Sequence, residues 1–237
     1  MNIFVVSDIH GMYEPFQKIL NYWDEESVLV ILGDLIDRGE HSYEVVKKVM
    51  ILKKQYGNKV IYIKGNHEQM LLDYLDNPTM NNERYFKNGG VETLKSFIQN
   101  MDEEAVSENA NIMLTQYEKE INFLREGHLH YQIGNVLLTH AGFDSELEHW
   151  QNSIERDFIW IREHYRIENK TSLVNIFGHT PTRYIHESDD IWVSPCKTYI
   201  GIDGGCVYNG QLNALLINEQ GEILNQFTVS NAVEVSV

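Results

Sequence analysis

The sequence predicts a mixed α/β fold in which two β-sheets pack face to face with helices outside. Three observations carry this. Short β-branched runs alternate with longer amphipathic stretches over the first 64 residues. Strand signals vanish over about 78–128 and resume at once afterwards. A second series of short strands, separated by turn residues, then fills the rest of the chain.

The first series places strands at Asn2 to Ser7, Val28 to Leu32 and Val60 to Lys64, all of strand length and rich in Val and Ile. Helices are predicted over Tyr13 to Trp23 and Tyr43 to Gln55, where Phe16, Ile19, Leu20 and Val45, Val46, Val49, Leu52 recur at helical spacing. A β-α-β-α-β order implies a largely parallel sheet with right-handed crossovers. Polar helical segments such as Glu83 to Gln99 and Ile112 to Glu126 then form a helical insertion, about 78–128, within a single domain spanning 1–237. Tyr131 to Ile133 and Val136 to Thr139 flank Gly134-Asn135, a two-residue hairpin loop. Later strands fall at Val174 to Phe177, Tyr199 to Ile202, Asn213 to Ile217 and Ile223 to Thr228, the last two joined by Asn218 to Gly221.

Composition narrows the function. The 237 residues are 43% hydrophobic and 23% charged, which excludes disordered and fibrous classes. Nineteen Lys and Arg against 35 Asp and Glu leave a net charge of −16, so bulk nucleic acid and anionic membranes are not expected partners. Two cysteines, Cys196 and Cys206, make no disulfide framework, and no apolar run approaches the roughly 18 residues of a membrane span. Asn2 to Val6 reads as a strand rather than a secretory signal, so the expectation is a cytoplasmic protein with reduced thiols, in an oligomeric state the sequence leaves open.

Five of the predicted strands end in side chains that bind metals. They run into Asp8-Ile9-His10-Gly11, Gly33-Asp34-Leu35-Ile36-Asp37-Arg38-Gly39, Gly65-Asn66-His67-Glu68, His140-Ala141-Gly142 and Gly178-His179-Thr180. Carboxyl ends of strands in α/β folds converge on one crevice, so these loops are predicted to meet. Asp8, His10, Asp34, Asn66, His140 and His179 form an oxygen and nitrogen set without thiolate, suited to Mn, Fe or Zn rather than Ca or a structural zinc. Six ligands exceed the need of one catalytic ion with an open position. They fit two ions sharing a bridging carboxylate, an arrangement that serves phosphoryl hydrolysis. Competing chemistries lack their residues: Ile202 and Leu212 stand where a Cys-x5-Arg cradle needs Arg, no Gly-Lys pair allows a P-loop, and no Gly-x-Ser-x-Gly elbow exists.

The motifs DIHG, GDLIDRG, GNHE, HAG and GHT, in this order, resemble those of the phosphoprotein phosphatase branch of the calcineurin-like metallophosphoesterases. Gly65 to Met70, Trp160-Ile161-Arg162 and Phe177 to Pro181 extend the likeness to the small phage and bacterial serine/threonine protein phosphatases, over Asn2 to about Leu216. The resemblance implies a β-sandwich flanked by helices, with two divalent metal ions, manganese before iron or zinc. It implies that Asp8, His10 and Asp34 hold one ion, and that Asp34, Asn66, His140 and His179 hold the other, with Asp34 bridging. His67 would protonate the leaving oxygen, oriented by Asp37, and Arg38 and Arg162 would grip the phosphate.

Chemistry favours the same roles. A water bridging two cations ionises near neutral pH and can attack phosphorus in line, without a phosphoenzyme. A positioned acid contributes on the order of 10²–10⁴-fold, and Arg offers phosphate a planar fork. The sequence departs from the family pattern at Ser7, where Gly is usual and local crowding is expected, and at Gly204, where Thr is usual.

The expected activity is hydrolysis of phosphoserine and phosphothreonine in proteins or peptides. The first alternative is hydrolysis of a nucleotide substrate, a dinucleoside polyphosphate such as diadenosine tetraphosphate. The symmetrical enzymes of that class more often carry Asp after Gly-Asn-His, which favours the protein phosphatase. The second alternative is an inactive metal-bound scaffold that only recognises phosphorylated partners.

Overall fold

The computed structural model describes residues 1–231. Strands β1 (Asn2–Val6), β2 (Val28–Ile31) and β3 (Val60–Tyr62) run parallel, joined by helices α1 (Tyr13–Leu20) and α2 (Ser42–Tyr56). Helices α3 (Asn66–Asp76), α4 (Pro78–Tyr85), α5 (Val91–Phe97), α6 (Val106–Gln116) and α7 (Glu118–Arg125) follow. The hairpin of β4 (His130–Ile133) and β5 (Val136–Thr139) turns at Gly134-Asn135. Then come α8 (Glu155–Trp160), β6 (Val174–Phe177), α9 (Arg183–His186), β7 (Trp192–Val193), β8 (Tyr199–Gly201), β9 (Gln211–Asn218) and β10 (Ile223–Ser230).

Two five-stranded sheets result, ordered β10-β9-β1-β2-β3 and β4-β5-β6-β8-β7. The alternation of side chains along β1 explains the packing. Ile3 and Val5 enter the layer between the sheets, where they join Val136, Leu138, Ile176 and Ile200. Phe4 and Val6 face the other way, into a core shared with α1 to α7. A strand covered on both faces reads as an unbroken apolar run, as Ile3 to Val6 does. A third cluster, with Phe143, Phe158, Phe177 and Tyr199, covers the outer face of the second sheet.

The segment of about 78–128 is helical, but its helices break where the periodicity suggests continuity. Glu83 to Gln99 divides at Gly89, whose φ of 95° is left-handed and non-helical. A Cβ there would lie 2.7 Å from the Arg38 nitrogen, so backbone must meet backbone at this point. Ile112 to Glu126 divides at Tyr117, where φ and ψ of −120° and 30° end one helix and begin the next. Leu94, Met113, Ile121 and Leu124 from these helices share the core of α1 and α2. The two residues of β7 and the short α8 and α9 carry too little periodicity to be read from sequence. No helix among the described residues is long and apolar enough to cross a membrane.

His164 anchors the outer cluster. It is buried against the rings of Phe143, Phe177 and Tyr199, and its Nε2 lies 3.1 Å from Asn175 Oδ1. Burial pushes its imidazole down to about 4. The unfolded chain, titrating near 6.5, therefore takes up a proton first as pH falls. Stability is complete above about pH 6.5 and declines toward about pH 4, by roughly 2–3 kcal/mol at pH 4.5 from this group. His164→Gln cannot titrate, so its loss of stability in urea between pH 7 and pH 4.5 is expected to be smaller by that amount. Equal losses in the two proteins would contradict a buried neutral His164.

Candidate metal centre

The centre is built where strands stop. Asp8 and His10 follow β1, Asp34, Asp37 and Arg38 follow β2, and His179 follows β6; all six adopt left-handed φ, between 46° and 73°. Such conformations cost non-glycine residues about 1–2 kcal/mol each and are least costly for Asp, Asn and His. They persist because the loops bond to one another: His10 N–H donates to the Asp34 carbonyl at 2.8 Å, and Gly11 N–H to the Leu35 carbonyl at 2.8 Å.

Glu68 fixes the second loop to the third. Fully buried in the first turn of α3, its carboxylate accepts from the N–H groups of Asp34 (3.0 Å), Leu35 (2.7 Å) and Gly65 (2.8 Å). The last bond is half of a capping box, and the helix dipole favours a carboxylate at this position. Asp34 is thereby aimed inward, with Oδ1 accepting from His67 N–H at 3.0 Å. Its Oδ2 lies 3.5 Å from Nε2 of both His10 and His140 and 4.0 Å from Nε2 of His67.

The two sheets are tied together by the same side chains. His140, from the end of β5, donates from Nδ1 to the Leu32 carbonyl at 2.6 Å. His179 N–H reaches both oxygens of Asp8, at 3.1 and 3.0 Å, and the Ser7 hydroxyl donates to the same carboxylate. Serine at position 7 therefore adds a bond to Asp8 and packs closely against Gly178, where a Cβ would collide with its hydroxyl. At Gly204, a Cβ would come within 2.3 Å of the Gln211 carbonyl, which leaves threonine no room.

The donor set fits divalent metal. Nδ1 of His140 donates to the Leu32 carbonyl, and its Nε2 lies 3.0 Å from Asn66 Oδ1, a nitrogen and an oxygen placed where a shared cation could take both. Nε2 of His179 is buried without a hydrogen-bond partner among the described residues. Asp34, His140 and His179 form one cluster of ligand atoms within 4.8 Å, and His10, Asp34 and His67 form a second. His10 donates from Nδ1 to the Ile36 carbonyl at 2.8 Å, so its lone pair is on Nε2, which accepts from the Arg38 guanidinium at 2.6 Å and which a metal ion would take over from it. Burial holds His10, His67 and His179 well below the usual imidazole range, so they are neutral. Burial, with Asp203 beside Asp8 and Glu68 beside Asp34, holds those two carboxyls well above the usual range.

Behind this set stands a second group. Asp37 Oδ2 lies 2.7 Å from His67 Nδ1, and its Oδ1 accepts from the hydroxyls of Tyr85 (3.0 Å) and Thr93 (2.7 Å). Burial pushes the Asp37 carboxyl up to about 7, against the hydrogen bonds that favour its ionised form. Tyr85 and Thr93 belong to α4 and α5, and the Gly89 carbonyl between them accepts from Arg38 N–H at 3.0 Å. The helical insertion thus holds the Asp37–His67 pair.

Asp8, His10, Asp34, Asn66, His67, His179, Arg38 and Arg162 line one cavity of about 260 Å³. His140 lies buried against Asn66, and Asp37 sits behind His67. Arg162 is held by the Thr180 hydroxyl at 3.1 Å and the His179 carbonyl at 3.3 Å. The predicted residues therefore assemble. One difference concerns Asp8, whose oxygens are turned to His179 N–H and Ser7, while His67 completes the cluster with His10 and Asp34. Sequence reasoning missed Asn88, Trp160, Tyr184, Tyr208 and Asp203 on the cavity wall, and gave no role to Glu68. Asp203 follows a predicted strand, a signal shared with the ligands, and Trp160 stands in the Trp160-Ile161-Arg162 motif; Tyr184 and Tyr208 carry no signal. Cys206 is buried on the wall, its thiol pushed up to about 12, in keeping with a packing role rather than a nucleophile.

Paired sheets with neutral imidazoles and buried carboxylates at their ends define a metal-dependent phosphoester hydrolase. The calcineurin-like phosphoesterase family matches residues 1–214, and the chain belongs to it. It is similar to serine/threonine-protein phosphatase 1 of Salmonella typhimurium, 28% identical over 220 residues, covering 89% of each chain. It is also similar to the asymmetrical bis(5'-nucleosyl)-tetraphosphatase PrpE of Anoxybacillus flavithermus, 26% identical over 239 residues, covering 89% of this chain and 88% of that one. A serine/threonine phosphatase structure from Saccharomyces cerevisiae shares the fold at a TM-score of 0.63, with 14% identity over 99% of this chain and 81% of that one.

Glu68→Gln replaces an acceptor-only carboxylate with an amide facing three N–H donors. Leaving one of them unsatisfied is expected to lower the unfolding free energy by about 1–3 kcal/mol in chemical denaturation. Elemental analysis should show weaker metal retention as Asp34 loses its mounting. Full retention and unchanged stability would contradict the clamp.

Proposed function

We propose that the protein removes phosphate from phosphoserine and phosphothreonine side chains of proteins or peptides, using two divalent ions, with manganese preferred. Asp8, His10 and Asp34 hold one ion; Asp34, Asn66, His140 and His179 hold the other. Bound ions would supply Lewis acidity, offsetting charge on phosphate oxygens and furnishing a nucleophile from water at neutral pH. Arg38 and Arg162 bind the phosphate, Arg presenting the planar fork that phosphate oxygens accept. His67, neutral in the free site, takes up a proton at Nε2 and then delivers it to the departing serine or threonine oxygen. Asp37 holds the His67 ring in position through Nδ1 and stabilises its charged form, as the 2.7 Å contact supports.

The cavity carries this reading. At about 260 Å³ it lies below the roughly 300–1,000 Å³ of pockets that engulf larger ligands, and suits a phosphate on a short side chain. The complete donor set with His67 and Asp37 favours an enzyme over an inactive phosphoprotein-binding scaffold. Hydrolysis of dinucleoside polyphosphates is the second reading. It is favoured by the PrpE relative and by Tyr184 and Tyr208, which put exposed rings on the cavity wall where a base could stack. The net charge of −16 supports neither bulk nucleic acid nor an anionic membrane as partner.

Side-by-side assays of the manganese-loaded enzyme on a phosphothreonine peptide and on diadenosine tetraphosphate are expected to give the higher kcat/KM on the peptide. Faster turnover of the nucleotide would replace the first reading with the second. His67→Asn is expected to lower kcat on a phosphoserine substrate on the order of 10²–10⁴-fold while both ions stay bound by elemental analysis. Unchanged kcat would remove His67 from proton delivery.

A further inference from the structure

Arg38 is mounted at both ends. Its backbone is left-handed, with φ of 72°, and is fixed by the 3.0 Å bond to the Gly89 carbonyl. Its guanidinium lines the cavity, donates toward His10 Nε2 at 2.6 Å, and lies over the ring of Tyr208 with Cζ 5.1 Å from the ring centroid. The Tyr208 ring has its own support. Cys206 to Tyr208 form a single 3-10 turn between the left-handed residues Gly205 and Asn209. Tyr208 N–H donates to the Gly205 carbonyl at 2.9 Å, and the Asn231 amide holds the Cys206 carbonyl at 3.0 Å. Under this loop lies the Arg183 guanidinium, near Gly205 and Gly210 and paired with both oxygens of Asp189 at 2.6 and 2.8 Å.

We propose that Tyr208 is a positioning residue for phosphate binding: its ring face holds the Arg38 guanidinium so that the donor fork stays in the cavity before substrate arrives. This rests on the reading of Arg38 as a phosphate ligand. A free arginine side chain loses rotamer freedom when it binds an anion, and a stacked one has lost much of it already. The ring face contributes through its quadrupole, which Phe shares and Leu lacks. Tyr208 is 48% exposed, so replacing it does not open the core.

The test is a double-mutant cycle read by calorimetric titration of inorganic phosphate into the manganese-loaded enzyme. Tyr208→Leu is expected to raise the phosphate Kd roughly 3- to 30-fold and KM for p-nitrophenyl phosphate more than it lowers kcat. Tyr208→Phe should stay within about twofold of the parent protein, and in an Arg38→Gln background Tyr208→Leu should add nothing. An equal loss in both backgrounds, or no loss in Tyr208→Leu while Arg38→Gln weakens phosphate binding, would overturn the role of Tyr208 alone. An unchanged phosphate Kd in Arg38→Gln would remove Arg38 as the phosphate ligand and the positioning role with it.

Discussion

Five carboxylates, on Asp8, Asp34, Asp37, Glu68 and Asp203, are withdrawn from water in or behind one cavity, and the arginines on its wall are Arg38 and Arg162. A buried carboxylate without a partner costs several kcal/mol, so each of these must be answered locally. Glu68 is answered by three backbone N–H groups, and Asp37 by two hydroxyls and His67. Asp203 accepts from Gly205 N–H at 2.9 Å, and burial pushes its carboxyl up to about 6. Asp8 is turned to His179 N–H and the Ser7 hydroxyl, and Asp34 keeps Oδ2 directed at Nε2 of His10 and of His140, 3.5 Å from each. Divalent cations would resolve this excess of carboxylates, and as bound cations they would offset the repulsion between a chain of net charge −16 and an anionic substrate. In the proposed reading, attraction for phosphate is local, from bound metal and the two arginines in the crevice.

Holding these charges together consumes conformational energy. The strand ends are left-handed at six residues of the centre, and the contacts that enforce this come from every layer of the fold. His140 reaches across to the Leu32 carbonyl, Asp8 to the His179 N–H, and Tyr85 and Thr93 from the helical insertion to Asp37. The insertion therefore braces Asp37 as well as forming part of the cavity wall, to which it contributes Asn88.

Much of this was legible in the sequence because it depends on local patterns. Strand ends such as Val6 and Ile31 are marked by an apolar run meeting Ser-Asp or Gly-Asp, and convergence of those ends is a property of α/β sheets. What could not be read is tertiary. Gly89 looks like a tolerable residue inside a helix until Arg38 is placed against it, and nothing in the spacing of Tyr85, Thr93 or Tyr208 points at residues some 50 to 170 positions away. Glu68 stood inside a legible motif, yet its function, to bond the backbone of another loop, lies in geometry. Asp8 was legible as a donor, while its bond to Ser7 and His179 depends on how the two sheets meet.

The most direct measurement is the number of metal ions per chain in the parent protein and in Asp34→Asn, counted by elemental analysis after manganese loading and removal of excess metal. Asp34 is the carboxylate common to both donor clusters. The expected result is two ions per chain in the parent and no more than one in the variant. Two ions retained in Asp34→Asn, or none bound by the parent, would contradict the view that these buried carboxylates exist to be bridged by metal.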